Sequence, residues 1–169
     1  MSRAFVKEPE GDAAEEDLPE LPRSTEPNYM TPRGLRLMQA ASHTLQAERT
    51  RLQSVTDDLT TASEIKRVGR ELRRLESTIQ NAIVVDAHKQ PHPDVRFGAT
   101  VETIDPDGES HLFTIVGEYE TDAAAGLIGW TSPLARSLLG RRVGDVVIWR
   151  RPAGNVELEI LNFTYPDLS

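Results

Sequence analysis

The residues best suited to chemistry in this 169-residue chain are charged groups in its middle third. Asp57 and Asp58 are adjacent in a polar break between two apolar-periodic segments. Five basic residues follow them, most at spacings that share one helix flank: Lys66, Arg67, Arg70, Arg73 and Arg74. On residue type alone, the two acids are typical of a solvated turn and the five basic residues, named here the basic stripe, of a solvated helix face.

Other kinds of chemistry are not indicated by the sequence. It has no Ser/His/Asp constellation, Gly-rich phosphate loop or dinucleotide fingerprint. His43, His88, His92 and His111 have no metal-ligand spacing, so we predict no metal bound by the protein alone and no cofactor of its own. The absence of cysteine excludes disulfides and thiolate zinc sites. No apolar run reaches membrane-spanning length, which predicts a cytoplasmic protein without a membrane partner.

Charge divides the chain into three segments. Residues 1–29 carry a net charge of −5, residues 30–82 carry +3 and residues 83–169 carry −6, for a total of −8. The acidic, proline-containing first segment has too little apolar surface to offset its chain entropy, so we predict a disordered tail over 1–29. The overall charge disfavours a general DNA coat, but a basic middle element remains able to enter an anionic site.

Residues 30–82 predict an antiparallel helical hairpin. Thr31-Pro32 is an N-cap followed by proline at the first helical position. Apolar residues then recur at coiled-coil spacing: Met38, Ala41, Leu45, Leu52, Val55 and Leu59 in the first arm, and Ile65, Val68, Leu72, Leu75, Ile79 and Ala82 in the second. A polar segment separates the arms. Thr61 and Glu64 form a capping box that predicts the start of the second helix.

Residues 83–169 predict a small antiparallel β domain with one short helix, which makes the whole chain α+β. The predicted strands are Ala99–Ile104, His111–Val116, Leu127–Trp130, Val146–Arg150 and Val156–Phe163. Ser132-Pro133 predicts the cap of a helix over Leu134–Leu139, which Gly140 ends. The predicted core consists of Val101, Leu112, Ile115, Ile128, Leu138, Val147, Ile148, Leu158, Ile160 and Phe163.

Several runs match one known family. Residues Ser132–Gly140 read Ser-Pro-Leu-Ala-Arg-Ser-Leu-Leu-Gly, and Gly144-Asp145 follows at the family spacing. Shorter matching runs are Met30–Gly34, Phe97–Val101, Phe113–Gly117 and Arg151–Gly154. With the hairpin placed before the β domain, residues 30–166 resemble the Gre family of bacterial transcript-cleavage factors, and GreB more closely than GreA.

The resemblance implies a fold and a mechanism. An FKBP-like β domain docks on core RNA polymerase at the rim of its secondary channel, through Ser132, Pro133, Ala135 and Arg136. The hairpin enters the channel, where acids at its tip help to position Mg²⁺ in the polymerase active site. The polymerase then cleaves backtracked RNA. The chain is therefore expected to be a monomeric accessory factor, not an enzyme, with only indirect contact to the nascent RNA 3′ end.

The tip departs from the family pattern. Gre factors read Gly-Asp-Leu/Arg-x-Glu-Asn, whereas this chain reads Asp-Asp-Leu-Thr-Thr-Ala over Asp57–Ala62. Asp58 matches the family aspartate, and Thr61 stands where the glutamate belongs. Each arm also counts about one heptad shorter than in the family, or roughly 10 Å of helix. We therefore expect weak or absent stimulation of cleavage while polymerase binding persists.

Two alternative functions remain open at this point. One is a secondary-channel competitor that binds polymerase without stimulating cleavage, and the other is a free-standing prolyl isomerase, suggested by the FKBP-like fold alone. Within the resemblance, the basic stripe is predicted to contact the RNA backbone or polymerase acids inside the channel. No aromatic residues are interleaved with it, so base stacking is not indicated.

Overall fold

The computed structural model describes residues 27–54 and 59–169. Helices α1 (Pro32–Ser54) and α2 (Leu59–Gln80) pack against each other as a hairpin. A short parallel pair of strands, β1 (Tyr29–Met30) and β2 (Ile83–Val84), closes its base. Tyr29 was predicted to belong to the acidic tail, but it pairs with Ile83 in this small sheet instead. Residues 1–26 of the predicted tail lie outside the described residues.

The helical hairpin follows most of the predicted seam. Met38, Leu52 and Leu72 are buried, and Val68 is fully buried. Ala41 was predicted to be a seam residue but is exposed, and its neighbour Ser42 is buried in its place. An α-helix has 3.6 residues per turn, so the residue that follows Met38 on the same face is either i+3, Ala41, or i+4, Ser42. In this helix the buried residue is the one at i+4.

The second helix begins earlier than its capping box predicted. It starts at Leu59, so Thr60 and Thr61 are helical and Thr61 is not an N-cap. Threonine has only a modest helix penalty, and a pair of threonines does not stop a helix that packs along a partner. Near this start, the Ser63 hydroxyl donates a hydrogen bond to the Thr60 carbonyl at 2.8 Å.

The C-terminal domain is a five-stranded sheet with one short α-helix among its described residues. Its strands are β3 (Thr100–Ile104), β4 (Ser110–Val116), β5 (Leu127–Gly129), β6 (Val146–Arg151) and β7 (Gly154–Thr164), and its helix is α3 (Pro133–Leu138). The order across the sheet is β5-β4-β3-β7-β6. All pairs are antiparallel except β4–β5, which is parallel, whereas an antiparallel domain was predicted. The α+β class, a helical hairpin followed by a β domain, is confirmed.

The core lies on one face of the sheet, under α3. Six of the predicted core residues are buried: Val101, Ile115, Leu138, Val147, Leu158 and Ile160. Ile128 and Phe163 are partly buried against them. Leu112 and Ile148 were predicted to be core but are 61% and 49% exposed, because alternate residues of a strand point to opposite faces and these two face solvent. No helix in the described part of the chain has the length and apolarity needed to cross a membrane.

Candidate functional site

Helix α3 presents the sequence run that the family likeness singled out. The Ser132 hydroxyl caps it by accepting a hydrogen bond from the Ala135 backbone N–H at 3.2 Å, and Pro133 occupies the first turn. Pro133 and Arg136 are exposed. Ala135 was also predicted to dock, but it is fully buried in the core, so it supports the helix and offers a partner no surface.

A shallow groove runs between α3 and the edge strand β6. It encloses about 460 Å³ and begins at Pro133. Its remaining lining consists of three aliphatic residues, two arginines and one serine: Val146, Val147, Ile148, Arg141, Arg150 and Ser137. Val146 and Ile148 are 55% and 49% exposed, which is unusual for branched aliphatic side chains. Apolar side chains flanked by guanidinium groups suit a partner surface that combines aliphatic and carboxylate groups.

The basic stripe lies on α2 and faces solvent. All five of its side chains are exposed. Arg67 contacts Glu71 at 3.5 Å along the helix and Glu48 of α1 at 3.9 Å, so part of its charge is balanced within the hairpin. Ion pairs this exposed contribute little to stability. The stripe can therefore bind an anionic partner without loss of the hairpin's packing.

The two predicted tip acids belong to the segment between the helices. Asp57 and Asp58 lie outside the described residues, between the end of α1 at Ser54 and the start of α2 at Leu59. Thr61, at the position of the family glutamate, is in the first turn of α2.

One side-chain cluster in the described residues resembles a metal site. Ligand atoms of Asp105, Glu109 and His111 lie within 4.8 Å of one another. However, Asp105 Oδ1 already accepts the N–H groups of Asp107 and Glu109, and its Oδ2 lies 3.0 Å from His111 Nε2. The bond with His111, followed by that from Glu109, lowers the pKa of Asp105. These hydrogen bonds lie within the turn between β3 and β4, so we assign the cluster a structural role in that turn.

Sequence reasoning missed the place where the hairpin meets the β domain. The buried carboxylate of Glu120 accepts a hydrogen bond from the Thr31 N–H at 3.0 Å, across 89 residues of chain. Beside it, Tyr29 packs edge-on against Trp130 with ring centroids 5.1 Å apart. A cleft of about 870 Å³ opens next to these two aromatic rings. No local sequence pattern predicts such long-range contacts. The predicted N-cap, Thr31, is one partner in them, but the sequence did not indicate that its partner is Glu120.

Comparison with known proteins agrees with this architecture. Residues 90–165 match the family described as "Transcription elongation factor, GreA/GreB, C-term". This match spans α3, the groove and every strand of the five-stranded sheet. Residues 90–165 of this chain are therefore similar to the C-terminal domain of the GreA/GreB family.

Individual relatives show the same likeness. The transcription elongation factor GreA of Aliarcobacter butzleri is 35% identical over 107 residues, which cover 63% of this chain and 66% of the relative. GreA of Methylobacterium sp. is 44% identical over 92 residues, which cover 54% and 58%. The chain thus spans less than two thirds of these relatives' lengths. Both relatives are named GreA, and the closer likeness to GreB remains a prediction.

Solved structures give a looser match. GreA factor homolog 1 (Gfh1) of Thermus thermophilus is 21% identical with a TM-score of 0.40, and the match covers 82% of this chain and 99% of that one. A GreA/GreB factor from Nitrosomonas europaea is 22% identical with the same TM-score, and the match covers 81% and 98%.

Proposed function

We propose that this chain is an RNA polymerase-binding transcription elongation factor whose hairpin enters the secondary channel. The observation that carries the proposal is the GreA/GreB-like domain with Pro133 and Arg136 exposed beside an apolar, basic groove. In this proposal the groove binds a polymerase surface that offers aliphatic and acidic side chains. The factor acts on the active site of the polymerase and is not itself an enzyme.

Docking is tested by pulldown of core RNA polymerase. The double variant Pro133→Ala/Arg136→Glu removes the exposed ring and reverses the charge beside the groove, so it should weaken capture about tenfold or more. The chain offers a control with the same spacing on another surface, the exposed pair Pro93→Ala/Arg96→Glu, whose folding is checked first because Arg96 pairs with Asp94 at 3.2 Å. Equal capture of both folded double variants would contradict this docking site.

The residues of the hairpin tip determine whether the factor stimulates RNA cleavage or only competes for the secondary channel. We propose that Asp58, with Asp57 beside it, offers oxygen ligands to Mg²⁺ held by the polymerase, with weak effect because Thr61 lacks a carboxylate. The assay is cleavage of backtracked RNA in stalled polymerase complexes with and without the protein. Residual stimulation should be lost in Asp58→Asn, which keeps the shape and removes the charge. Thr61→Glu should raise stimulation only if the short arms reach the metal.

The competitor alternative is favoured by one specific feature, the threonine at position 61. A factor that binds but supplies one carboxylate fewer occupies the channel without completing the metal site. It should then inhibit a second, cleavage-competent factor in a concentration-dependent way. Strong cleavage by the wild-type chain would contradict both the competitor alternative and the expected cost of the short arms.

The basic stripe is proposed to act only inside the channel. Charge reversal of Arg70 and Arg73 should leave folding unchanged, because both side chains are exposed on α2. It should reduce any effect on stalled complexes and make that effect less sensitive to salt. An identical salt response in wild type and variant would favour a merely solvated face.

A further inference from the structure

The 3₁₀ turn Glu118–Glu120 contacts two functional parts of the molecule at once. At one end, Glu120 is only 6% exposed, and its Oε2 accepts the N–H groups of Thr31 at 3.0 Å and Gly117 at 3.1 Å. Its Oε1 accepts the Thr31 hydroxyl. A buried carboxylate is costly unless it is fully hydrogen-bonded, and these three donors provide that compensation.

On the hairpin side, the same bonds fix the first turn of α1. The Thr31 hydroxyl that donates to Glu120 also accepts the Gly34 N–H at 3.1 Å, and the Arg33 N–H donates to the Leu168 carbonyl at 2.9 Å. The Thr31 and Arg33 N–H groups at this helix start are thereby bonded to the β domain and to the C-terminal segment that follows it. Gly34 is required for this approach, because a Cβ there would lie 2.2 Å from the Glu120 carboxyl carbon.

On the docking side, the other end of the turn holds the loop before α3. The Thr131 hydroxyl donates to Glu118 Oε1 at 2.7 Å, and Thr131 directly precedes the cap residue Ser132. The Ser132 N–H in turn donates to the Gly129 carbonyl at 2.9 Å. A single residue, Tyr119, therefore separates Glu118, which holds the docking loop, from Glu120, which holds α1.

We propose that this turn is a coupling element in which Glu120 is a positioning residue that sets the direction of the hairpin relative to the docking surface. The lever is long: α1 has 23 residues, or ~35 Å. A tilt of about 10° at its base displaces its far end by about 6 Å, by the same helix dimensions. That shift is large against the placement of about half an ångström that a metal ligand needs. The functional consequence rests on the function proposed above, but the geometry does not.

The structural part is tested on the free, full-length protein by electron spin resonance. The chain has no cysteine, so one label at Arg49→Cys on α1 and one at Glu157→Cys on β7 report the direction of the hairpin. Both sites are exposed. Thr31→Val keeps the side-chain shape and removes the hydroxyl, whereas Thr31→Ser keeps the hydroxyl. We expect Thr31→Val to widen the distance distribution at least about twofold and Thr31→Ser to preserve it.

A label pair inside the β domain, Glu102→Cys with Glu157→Cys, separates loss of positioning from loss of folding. Its distribution should stay narrow in every variant, since both residues lie in the sheet. Glu120→Gln should widen the distribution between hairpin and domain as well. If Glu120→Gln does not fold, the threonine pair still decides. An unchanged distribution in folded Thr31→Val would overturn the proposal.

The functional part is tested with polymerase and the same threonine variants. Thr31→Val should keep its affinity for polymerase within about twofold of wild type, while any hairpin-dependent effect on stalled complexes falls about tenfold, the scale of one buried hydrogen bond. Thr31→Ser should rescue that effect. Loss of affinity and effect in proportion would overturn the positioning role. If no variant, wild type included, binds polymerase, the proposed function fails while the spin-label result still decides the coupling.

Discussion

The β domain and the hairpin bury their apolar side chains in different ways. In the β domain, Ile115, Leu138, Leu158 and Ile160 are fully buried between the sheet and α3. In the hairpin, Val68 is fully buried, but Met38, Leu52 and Leu72 retain 5–7% exposure, because each helix covers only one face of the other. A two-helix layer shields less apolar surface than a sheet with a helix upon it. The β domain is therefore expected to carry most of the stability, and the hairpin to depend on its base.

The sharpest test of this difference is one substitution in each region. Leu158→Ala in the β domain should cost about 3–5 kcal/mol of unfolding free energy, and Leu72→Ala in the hairpin about 2–3 kcal/mol, because a site that relaxes loses less. Two probes separate the regions: Trp130 and Trp149 fluorescence reports the β domain, and far-ultraviolet circular dichroism at helical wavelengths reports mainly the hairpin. Equal costs with superimposable transitions in both variants would contradict the comparison.

The same contrast explains what the sequence could predict. Periodicity located both helices of the hairpin, and the Thr31-Pro32 cap marked the residue before α1 begins. In the sheet, Val147 and Ile148 were both predicted to be core, but they are neighbours on one strand and cannot both face the same core. Only Val147 is buried. Local pattern thus predicts the elements well, but which face of a strand is covered depends on packing elsewhere.

Contacts between distant residues were not predictable from the sequence. No local pattern distinguishes Glu120 from the other acidic residues, yet it is buried against Thr31. The β1–β2 pair was missed for the same reason, since two residues per strand carry no periodic signal. For the candidate site, the run from Ser132 identified α3 correctly, but the burial of Ala135 required the three-dimensional structure.

Substitution of two glycines tests how tightly the linker between β2 and β3, which contains Ala87, packs on the β domain. Gly98 has φ +85°, and a Cβ there would lie 2.5 Å from the Ala87 Cβ in that linker; Gly140 has φ +77° with nothing within 4 Å. Gly140→Ala should cost about 1–2 kcal/mol for the left-handed backbone alone. Gly98→Ala should cost more, because the clash is added. Equal losses of free energy in chemical denaturation would indicate that the linker moves away without cost.

A smaller effect is expected where the C-terminal segment meets the start of the β domain. The Tyr165 hydroxyl donates to the Asp94 carbonyl at 2.5 Å and accepts the Arg96 N–H at 3.1 Å. Tyr165→Phe should cost about 1–2 kcal/mol by leaving both groups unpaired. Burial also raises the pKa of Tyr165 above 10.0, so wild-type stability should fall as the pH rises past that value. Denaturation measured between neutral pH and pH 11 should show this fall in wild type and lose it in Tyr165→Phe.

The smallest expected effect concerns the β3–β4 turn and appears only in acid. The pKa of Asp105 is lowered below 3.8, mainly by its hydrogen bond with His111 and next by the hydrogen bond from the Glu109 N–H. A carboxyl group whose pKa is lower in the folded state stabilises the protein above its unfolded pKa, and this contribution is lost as the pH falls through the folded value.

Asp105→Asn should therefore remove part of the decline in stability below about pH 3.8. Asp107→Asn, the same change in the same turn, is the control and should retain it. Because the turn belongs to the β domain, the difference should appear in tryptophan fluorescence. If stability falls with pH in the same way in wild type and in Asp105→Asn, the charge of Asp105 contributes nothing to the stability of the turn.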